Sequence, residues 1–312
     1  MPEKGFHKAV RRLREATLAA LWRQWGALGA MTAKGKSTRS LVDPEALVLM
    51  SLSLTEEERR LWDLLRWWAQ AGATLLSVQR IKNLAAMYPE STRARLGGFA
   101  HLANREGRDF RWRPLEQPLS GKSIRVGKSL GRNPELINPA ALMLRLRVGL
   151  GVNVKVDVLG FLLGTGDIWV NVRTIADAVG YTPRAVHRAV DDMATARLIQ
   201  TTVETPTAYR VDPKPWTELL GVSGNFPVWR YWPRVFAFVA DLAEWAGREG
   251  AAIQAGPYLW SSQARDLMER HRLAFTRNQL VIPNPEDYPG EQYLEPFEET
   301  LDKVALWLEQ NV

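Results

Sequence analysis

The chain has 312 residues, of which 46% are hydrophobic and 24% are charged, and its net charge is +7. This composition is typical of a folded protein with two or three domains and excludes an intrinsically disordered chain. The sequence contains no cysteine, which excludes disulfide bonds and thiolate metal sites.

The sequence predicts neither a membrane span nor a secretory signal. No apolar run approaches the length of a transmembrane helix. The first residues are basic and amphipathic and lack the apolar core and cleavage site of a signal peptide. We therefore expect a cytoplasmic protein with no membrane partner.

Positive charge is concentrated towards the N-terminus. Residues 1–140 carry a net charge of +11, residues 141–220 carry +1 and residues 221–312 carry −5. This asymmetry fits a chain that offers part of its surface to a polyanion such as DNA. Unrelated solvated surfaces are the alternative explanation.

The N-terminal region, residues 1–116, is predicted to be a basic helical domain. Residues 3–30 form an amphipathic helix, and a second helix spans residues 55–71, where Thr55 and Glu58 fit a capping box. A strand-like Leu75–Leu76 pair, two helices and a strand-like DFRWRPL segment follow. This order fits a degenerate second winged helix, with a plain helical domain as the alternative.

Two further segments flank the centre of the chain. Residues 117–138 are rich in Gly, Pro and Ser and predict a basic linker, with Lys122, Arg125, Lys128 and Arg132. Residues 221–312 predict an acidic, helical accessory domain with helices near 229–245, 261–273 and 295–310. The aromatic face of its first helix is the predicted dimer seam, formed by Trp229, Trp232, Val235, Phe236, Val239, Leu242 and Trp245.

The central region, residues 139–220, predicts a winged helix-turn-helix domain in a chain that is mainly α with small β-wings. A short helix ends at Gly180, and a longer one begins with Thr182 as its cap and Pro183 in its first turn. Two β-rich runs, residues 199–204 and 208–212, are separated by a Thr-Pro-Thr turn and form the predicted wing.

The helix at residues 183–197 has two distinct faces. Val186, Val190 and Met193 share one side and predict a buried seam, continued by Leu198 and Ile199. The opposite side predicts a DNA-contacting face, because the leading turns of such a helix enter the major groove, where arginine recognises guanine. A contact from Arg188 to a phosphate is one alternative. The other is that this face is simply exposed to solvent and contacts no DNA. The predicted DNA-contacting residues of this helix are Thr182, Arg184, His187, Arg188 and Asp191.

The predicted wing adds three DNA-contacting residues, Thr207, Tyr209 and Arg210. Arg210 is assigned to the DNA backbone or the minor groove, with an ion pair on the face of the sheet as the alternative. Asp191 is assigned as an acceptor from a cytosine amine, which is an unusual role because carboxylates repel phosphate.

Residues 154–212 resemble the DNA-binding module of bacterial MarR- and ArsR-type regulators. The segment TPRAVHRAV is similar to their recognition helix, and ATARLI to its end. Arg197 departs from the pattern, since those families place a glycine there. The whole layout also resembles regulators or antitoxins encoded beside nucleotidyltransferase-type toxins. The resemblance implies double-stranded DNA as a partner, a homodimer and, in the second case, a toxin or other protein partner.

The sequence predicts no enzyme, cofactor or metal site. Three Gly-Lys-Ser triplets lack the glycine that a phosphate-binding loop requires five positions earlier, and the four histidines are far apart. The thirteen tryptophans fit core packing better than base stacking. We therefore expect a sequence-specific transcriptional regulator that acts as a repressor. The alternative is an antitoxin-like module that binds a partner protein through its C-terminal domain and autoregulates its operon.

Overall fold

The computed structural model describes residues 2–30, 38–117, 133–203, 205–247 and 256–312. The chain is mainly helical, with one small antiparallel sheet, as the sequence predicted. The basic residues of the predicted linker, Lys122 to Arg132, and Glu204 of the predicted wing lie outside the described residues.

The order of the elements along the chain places the sheet in its middle third. The helices are α1 (Pro2–Ala27), α2 (Pro44–Ser53), α3 (Arg60–Ala71), α4 (Val78–Ala85), α5 (Glu90–Arg105), α6 (Leu142–Leu150), α7 (Val154–Thr165), α8 (Val172–Val179), α9 (Pro183–Thr195), α10 (Pro213–Leu220), α11 (Trp232–Gly247), α12 (Pro257–Arg270), α13 (Arg272–Thr276) and α14 (Leu294–Asn311). The strands are β1 (Val170–Asn171), β2 (Gln200–Thr201) and β3 (Ala208–Arg210).

The N-terminal and C-terminal regions share one hydrophobic core. It joins α1–α5 to α11–α14, and α1 packs along α14. Phe6 of α1 shows how the regions meet, because its ring lies 5.5 Å from Trp245, 5.0 Å from Trp260 and 6.1 Å from Phe297, measured between centroids. The two ends of the chain therefore form one helical body.

A second hydrophobic core lies under the small sheet. It is built from α6–α9, the strands and the segment that precedes α11. The strand order is β1-β3-β2, with Val170 opposite Tyr209 and Gln200 opposite Arg210. Helix α9 contributes Val186, Val190 and Met193 to this core.

Local signals fix the two helices that precede β2. Asn171 caps α8 by accepting from the Thr174 N–H at 2.9 Å, and α8 ends at Gly180, whose φ of 72° is left-handed. Thr182 caps α9 through the Ala185 N–H at 3.3 Å. Arg197 takes the left-handed conformation after α9, with a φ of 57°. Arg197 therefore has the left-handed geometry that was in doubt for a residue other than glycine.

The N-terminal region contains no strand among its described residues. The segments predicted as strands form 3-10 helices at Ala73–Leu75 and Phe110–Leu115. The predicted helix at 55–71 begins only at Arg60, because the Thr55 hydroxyl donates to the Leu52 carbonyl instead of capping. The expectation of a second winged helix is therefore wrong, and helix α5 of this region is largely buried.

The predicted dimer seam lies inside the chain. Trp232, Val235, Phe236, Val239 and Leu242 are all at most 3% exposed, because α1, α2 and α13 cover them. The seam is therefore not available to a second chain. Trp67, Trp68 and Trp229 are buried as well, so these tryptophans serve packing. None of the described helices combines the length and the apolar character that a membrane crossing requires.

Candidate nucleic-acid interface

The outer face of α9 is open to solvent along its whole length. Arg184, His187 and Arg188 are exposed, whereas Val186 and Val190 are fully buried. This matches the two predicted faces, and Met193 and Ile199 are buried as well, but Leu198 is 47% exposed and does not continue the seam. Thr182, at the head of the helix, is exposed too.

Arg184 and Arg188 are the exposed arginines of this face, and the charge of Arg188 adds to that of Lys155 in lowering the pKa of Asp192. Neither forms a hydrogen bond or an ion pair with any residue in the described part of the chain. They are four residues apart and therefore lie on the same side of the helix, one turn from each other. Two guanidinium groups of this kind are free to bind a phosphate or a guanine edge.

The carboxylates of α9, Asp191 and Asp192, lie in its later turns, and each is in contact with a neighbouring basic side chain. Asp191 lies 2.6 Å from Nδ1 of the His187 ring, and Asp192 binds the Lys155 ammonium at 2.8 Å. The hydrogen bond and charge of Lys155 hold the pKa of Asp192 below its usual value. Asp191, predicted as a base acceptor, is thus held by neighbouring side chains, although it stays exposed.

The hairpin after α9 differs from the predicted wing in its side chains. Thr207 is exposed, but Tyr209 is only 3% exposed and its ring belongs to the second core. Its hydroxyl donates to Asp191 across 3.4 Å. Burial, reinforced by the Asp191 charge, raises the pKa of Tyr209. Because period-2 alternation in β3 directs this side chain inward, Tyr209 is a packing residue in this structure.

Arg210 adopts the ion-pair alternative. Its Nη1 donates to Asp167 at 2.7 Å, and its Nε donates to Gln200 at 2.7 Å. The guanidinium also lies 4.5 Å from the centre of the Trp169 ring, in a cation–π contact. Arg210 therefore ties β3 to β2 and to the loop before β1.

Arg173 is a further exposed cation that the sequence analysis did not identify. Arg173 lies in the first turn of α8, is exposed, and has no hydrogen bond or ion pair within the described ranges. Arg173 belongs to no recognisable sequence motif. The sequence did indicate that it lies outside the apolar face of α8, which is formed by Ile175, Ala176 and Val179. It extends the set of free cations beyond α9.

The turn between α8 and α9 is held by a buried arginine from the N-terminal region. Arg80 of α4 is fully buried, and its Nε donates to the Val179 carbonyl at 2.6 Å. Its remaining nitrogens bind Asp43, at 2.5 and 2.8 Å, and Glu45. Next to it, Asn83 donates to the Gly180 carbonyl at 3.0 Å.

A second buried arginine continues this network under the turn. Arg147 of α6 binds Glu45 at 2.7 Å and Asp157 at 2.8 Å. Tyr181, in the turn itself, places its hydroxyl 2.9 Å from both Ser77 and Asp157. Burial by itself raises the pKa of Glu45, but the charges of Arg147 and Arg80 outweigh burial and leave this pKa below its usual value. The five charged side chains of this network are at most 2% exposed.

The C-terminal region holds the other side of α8. Asp177 accepts from Arg277 at 3.1 Å and is also bound by Arg234. Helix α8 is therefore fixed to both terminal regions, whereas α9 packs only on α7 and α8 through substantial contacts. The orientation of α9 relative to the helical body is thus set by side chains from three regions of the chain.

The described residues contain no group of three or more His, Asp or Glu placed to hold a metal ion. Comparison with family models, curated proteins and solved structures finds no match to this chain.

Proposed function

We propose that the chain is a sequence-specific, double-stranded DNA-binding transcriptional regulator that reads the major groove with α9. The element order α7-β1-α8-α9-β2-β3 and the sheet order β1-β3-β2 support the part of this proposal that makes the region a winged helix-turn-helix. In such modules the second helix of the pair enters the major groove with its leading turns. Helix α9 occupies that position.

The observation that carries the proposal is the free cationic face of α9. Arg184 and Arg188 are exposed and unpaired in its first two turns, where contacts to base edges and phosphates are made. Other exposed arginines of the described chain, such as Arg11 and Arg173, also lack a carboxylate partner. What distinguishes Arg184 and Arg188 is their position one turn apart at the head of the second helix of the pair.

The proposal is tested by titrating the protein into labelled duplexes from the DNA upstream of its own gene and into random-sequence duplexes. The wild-type protein is expected to bind with an affinity that falls steeply with salt, because phosphate contacts release counterions. The double variant Arg184→Ala/Arg188→Ala is expected to lose at least tenfold in affinity and most of the preference for one sequence, since a bidentate arginine–guanine pair contributes about 1–3 kcal/mol.

A matched control removes the same charge from another helix. Lys8 and Arg11 are exposed on α1, and Lys8→Ala/Arg11→Ala is expected to keep the wild-type affinity. Equal losses in both double variants would indicate a general charge effect, and no salt-sensitive binding by the wild type would contradict the proposed function.

A further inference from the structure

A cation from another helix lies beside the outer face of α9. The Nζ atom of Lys155 is 2.8 Å from Oδ2 of Asp192, a residue in the third turn of α9. Lys155 belongs to the first turn of α7, and α7 packs against α9 in the second core. This direct contact fixes the position of the Lys155 ammonium group relative to α9.

Asp192 has a second basic neighbour on its own helix. Arg188 and Asp192 are four residues apart and therefore lie on the same side of α9, one turn from each other. The hydrogen bond and charge of Lys155, followed by the charge of Arg188, hold the pKa of Asp192 below its usual value. Asp192 is therefore the common neighbour of two cations, one from α7 and one from α9.

All three side chains of this cluster are open to solvent. The side chain of Lys155 is 52% exposed and that of Asp192 is 61% exposed, and Arg188 is exposed as well. An ion pair at such a surface contributes little to stability and is weakened by salt. A phosphate that takes the place of the carboxylate therefore leaves the fold undisturbed.

The charges of the cluster determine what it binds. Lys155 and Arg188 are positive and Asp192 cancels only one of them, so the cluster keeps one positive charge. Ammonium and guanidinium groups both form charge-assisted hydrogen bonds with phosphate oxygens. In helix-turn-helix modules, elements next to the recognition helix contact the DNA backbone. The cluster thus has the charge and the location for a phosphate contact, with one carboxylate that opposes it.

We propose that Lys155 and Arg188 together bind a DNA phosphate at the edge of the groove that α9 enters, and that Asp192 competes with this phosphate for both cations. The inference rests on the proposed function and extends the interface from α9 to α7. It also assigns a role to Asp192, which occupies Lys155 in the free protein and lowers the affinity for every duplex. The chain therefore binds DNA less tightly than its two cations alone would allow.

The test compares this ion pair with a matched pair elsewhere on the surface. Arg12 of α1 and Asp302 of α14 are 3.1 Å apart, and their side chains are 46% and 48% exposed. Lys155→Ala and Arg12→Ala each remove one positive charge, and Asp192→Asn and Asp302→Asn each remove one negative charge. Each variant is titrated by fluorescence anisotropy into duplexes of about three helical turns, one from upstream of the gene and one of random sequence, over a series of sodium chloride concentrations.

Lys155→Ala is expected to weaken binding several-fold on both duplexes. The slope of log affinity against log salt becomes shallower by about 0.9, the value for one lost phosphate contact, and Lys155→Arg is expected to retain wild-type binding. Asp192→Asn is expected to strengthen binding several-fold. Lys155→Ala/Asp192→Asn is expected to bind more tightly than Lys155→Ala, which leaves the carboxylate without its lysine. Arg12→Ala and Asp302→Asn are expected to change neither affinity nor slope, and thermal melting checks that every variant is folded.

Three results overturn the inference and can be told apart. If Arg184→Ala/Arg188→Ala weakens binding but Lys155→Ala behaves like Arg12→Ala, α7 makes no phosphate contact and the proposed function stands. If Asp192→Asn weakens binding or leaves it unchanged, the carboxylate does not compete with DNA for the two cations. If the wild type shows no salt-dependent binding, the proposed function itself fails and the inference with it.

Discussion

Arg80 and Val179 are 99 residues apart in the sequence, yet the Arg80 Nε donates to the Val179 carbonyl oxygen at 2.6 Å in the interior of the protein. That carbonyl belongs to the last turn of α8, where helix geometry leaves carbonyl groups without an intrahelical partner. A side chain of the N-terminal region thereby completes the helix that leads into α9. The same guanidinium forms ion pairs with Asp43 and Glu45, so this one residue adds both a hydrogen bond and two ion pairs to the junction between the two cores.

Removal of the Arg80 charge is expected to destabilise the whole chain. In Arg80→Met, Asp43 and Glu45 stay buried but lose a cation, which costs about 3–5 kcal/mol when one partner of a buried pair is removed. Urea denaturation followed by circular dichroism measures the free energy of unfolding. The exposed pair of Arg93 and Glu90 supplies the control, since Arg93→Met is expected to change stability by at most about 1 kcal/mol. Equal effects from the two substitutions would show that the buried network is not needed for stability.

A side chain at position 180 is expected to lower the free energy of unfolding, for two separate reasons. The φ of 72° at Gly180 is unfavourable for other residues by about 1–2 kcal/mol, and an added Cβ also meets Leu84 at 2.7 Å. Gly221 separates these two causes, because it has a φ of 56° but nothing within 4 Å of an added Cβ. Gly180→Ala is expected to lower the free energy of unfolding more than Gly221→Ala does, by chemical denaturation of both. Similar losses would mean that Leu84 moves aside at little cost.

Acid is expected to weaken the buried network through Glu45. Its pKa in the folded protein is lowered by Arg147 and Arg80 against the effect of burial. The stabilisation that follows is therefore complete above the ordinary glutamate pKa of about 4 and is lost as the pH falls further. Unfolding free energies measured across this range are expected to fall less steeply for Glu45→Gln than for the wild type. Parallel curves for the two proteins would contradict the assignment to Glu45.

A rise in pH above about 10 is expected to lower the free energy of unfolding through Tyr181. Burial, followed by the charge of Asp157, raises the pKa of its hydroxyl well above the usual value. Because the folded pKa lies above the unfolded one, the contribution is complete below about pH 10 and is lost as the pH rises beyond it. Tyr181→Phe is expected to show a smaller loss of unfolding free energy in that range than the wild type. Tyr258→Phe, at a residue 75% exposed, is the control and is expected to follow the wild-type curve.

Elements governed by neighbouring residues were predictable from the sequence. The cap at Thr182, the stop at Gly180 and the buried seam of Val186 and Val190 lie where their spacing and residue types placed them. Helix caps and amphipathic periodicity act over one or two turns, so the necessary information is local. The mainly helical character of the chain followed for the same reason.

Partners across the fold were not predictable in this way. The aromatic face of α11 was recognised as apolar, but periodicity does not say whether the same chain or a second one covers it. Tyr209 and Arg210 alternate on β3, yet only the register with β1 and β2 directs the first into the core and the second towards Asp167.

The sequence by itself determined that α9 has one apolar and one cationic face, since the 3.6-residue period is a property of the segment alone. Only the tertiary structure decided that this cationic face is exposed and that Arg210 of the hairpin forms an ion pair with Asp167. It also decided that α4 lies beside the turn between α8 and α9. These outcomes depend on contacts such as that between Arg80 and Val179, whose formation requires the whole chain to bring distant buried groups together.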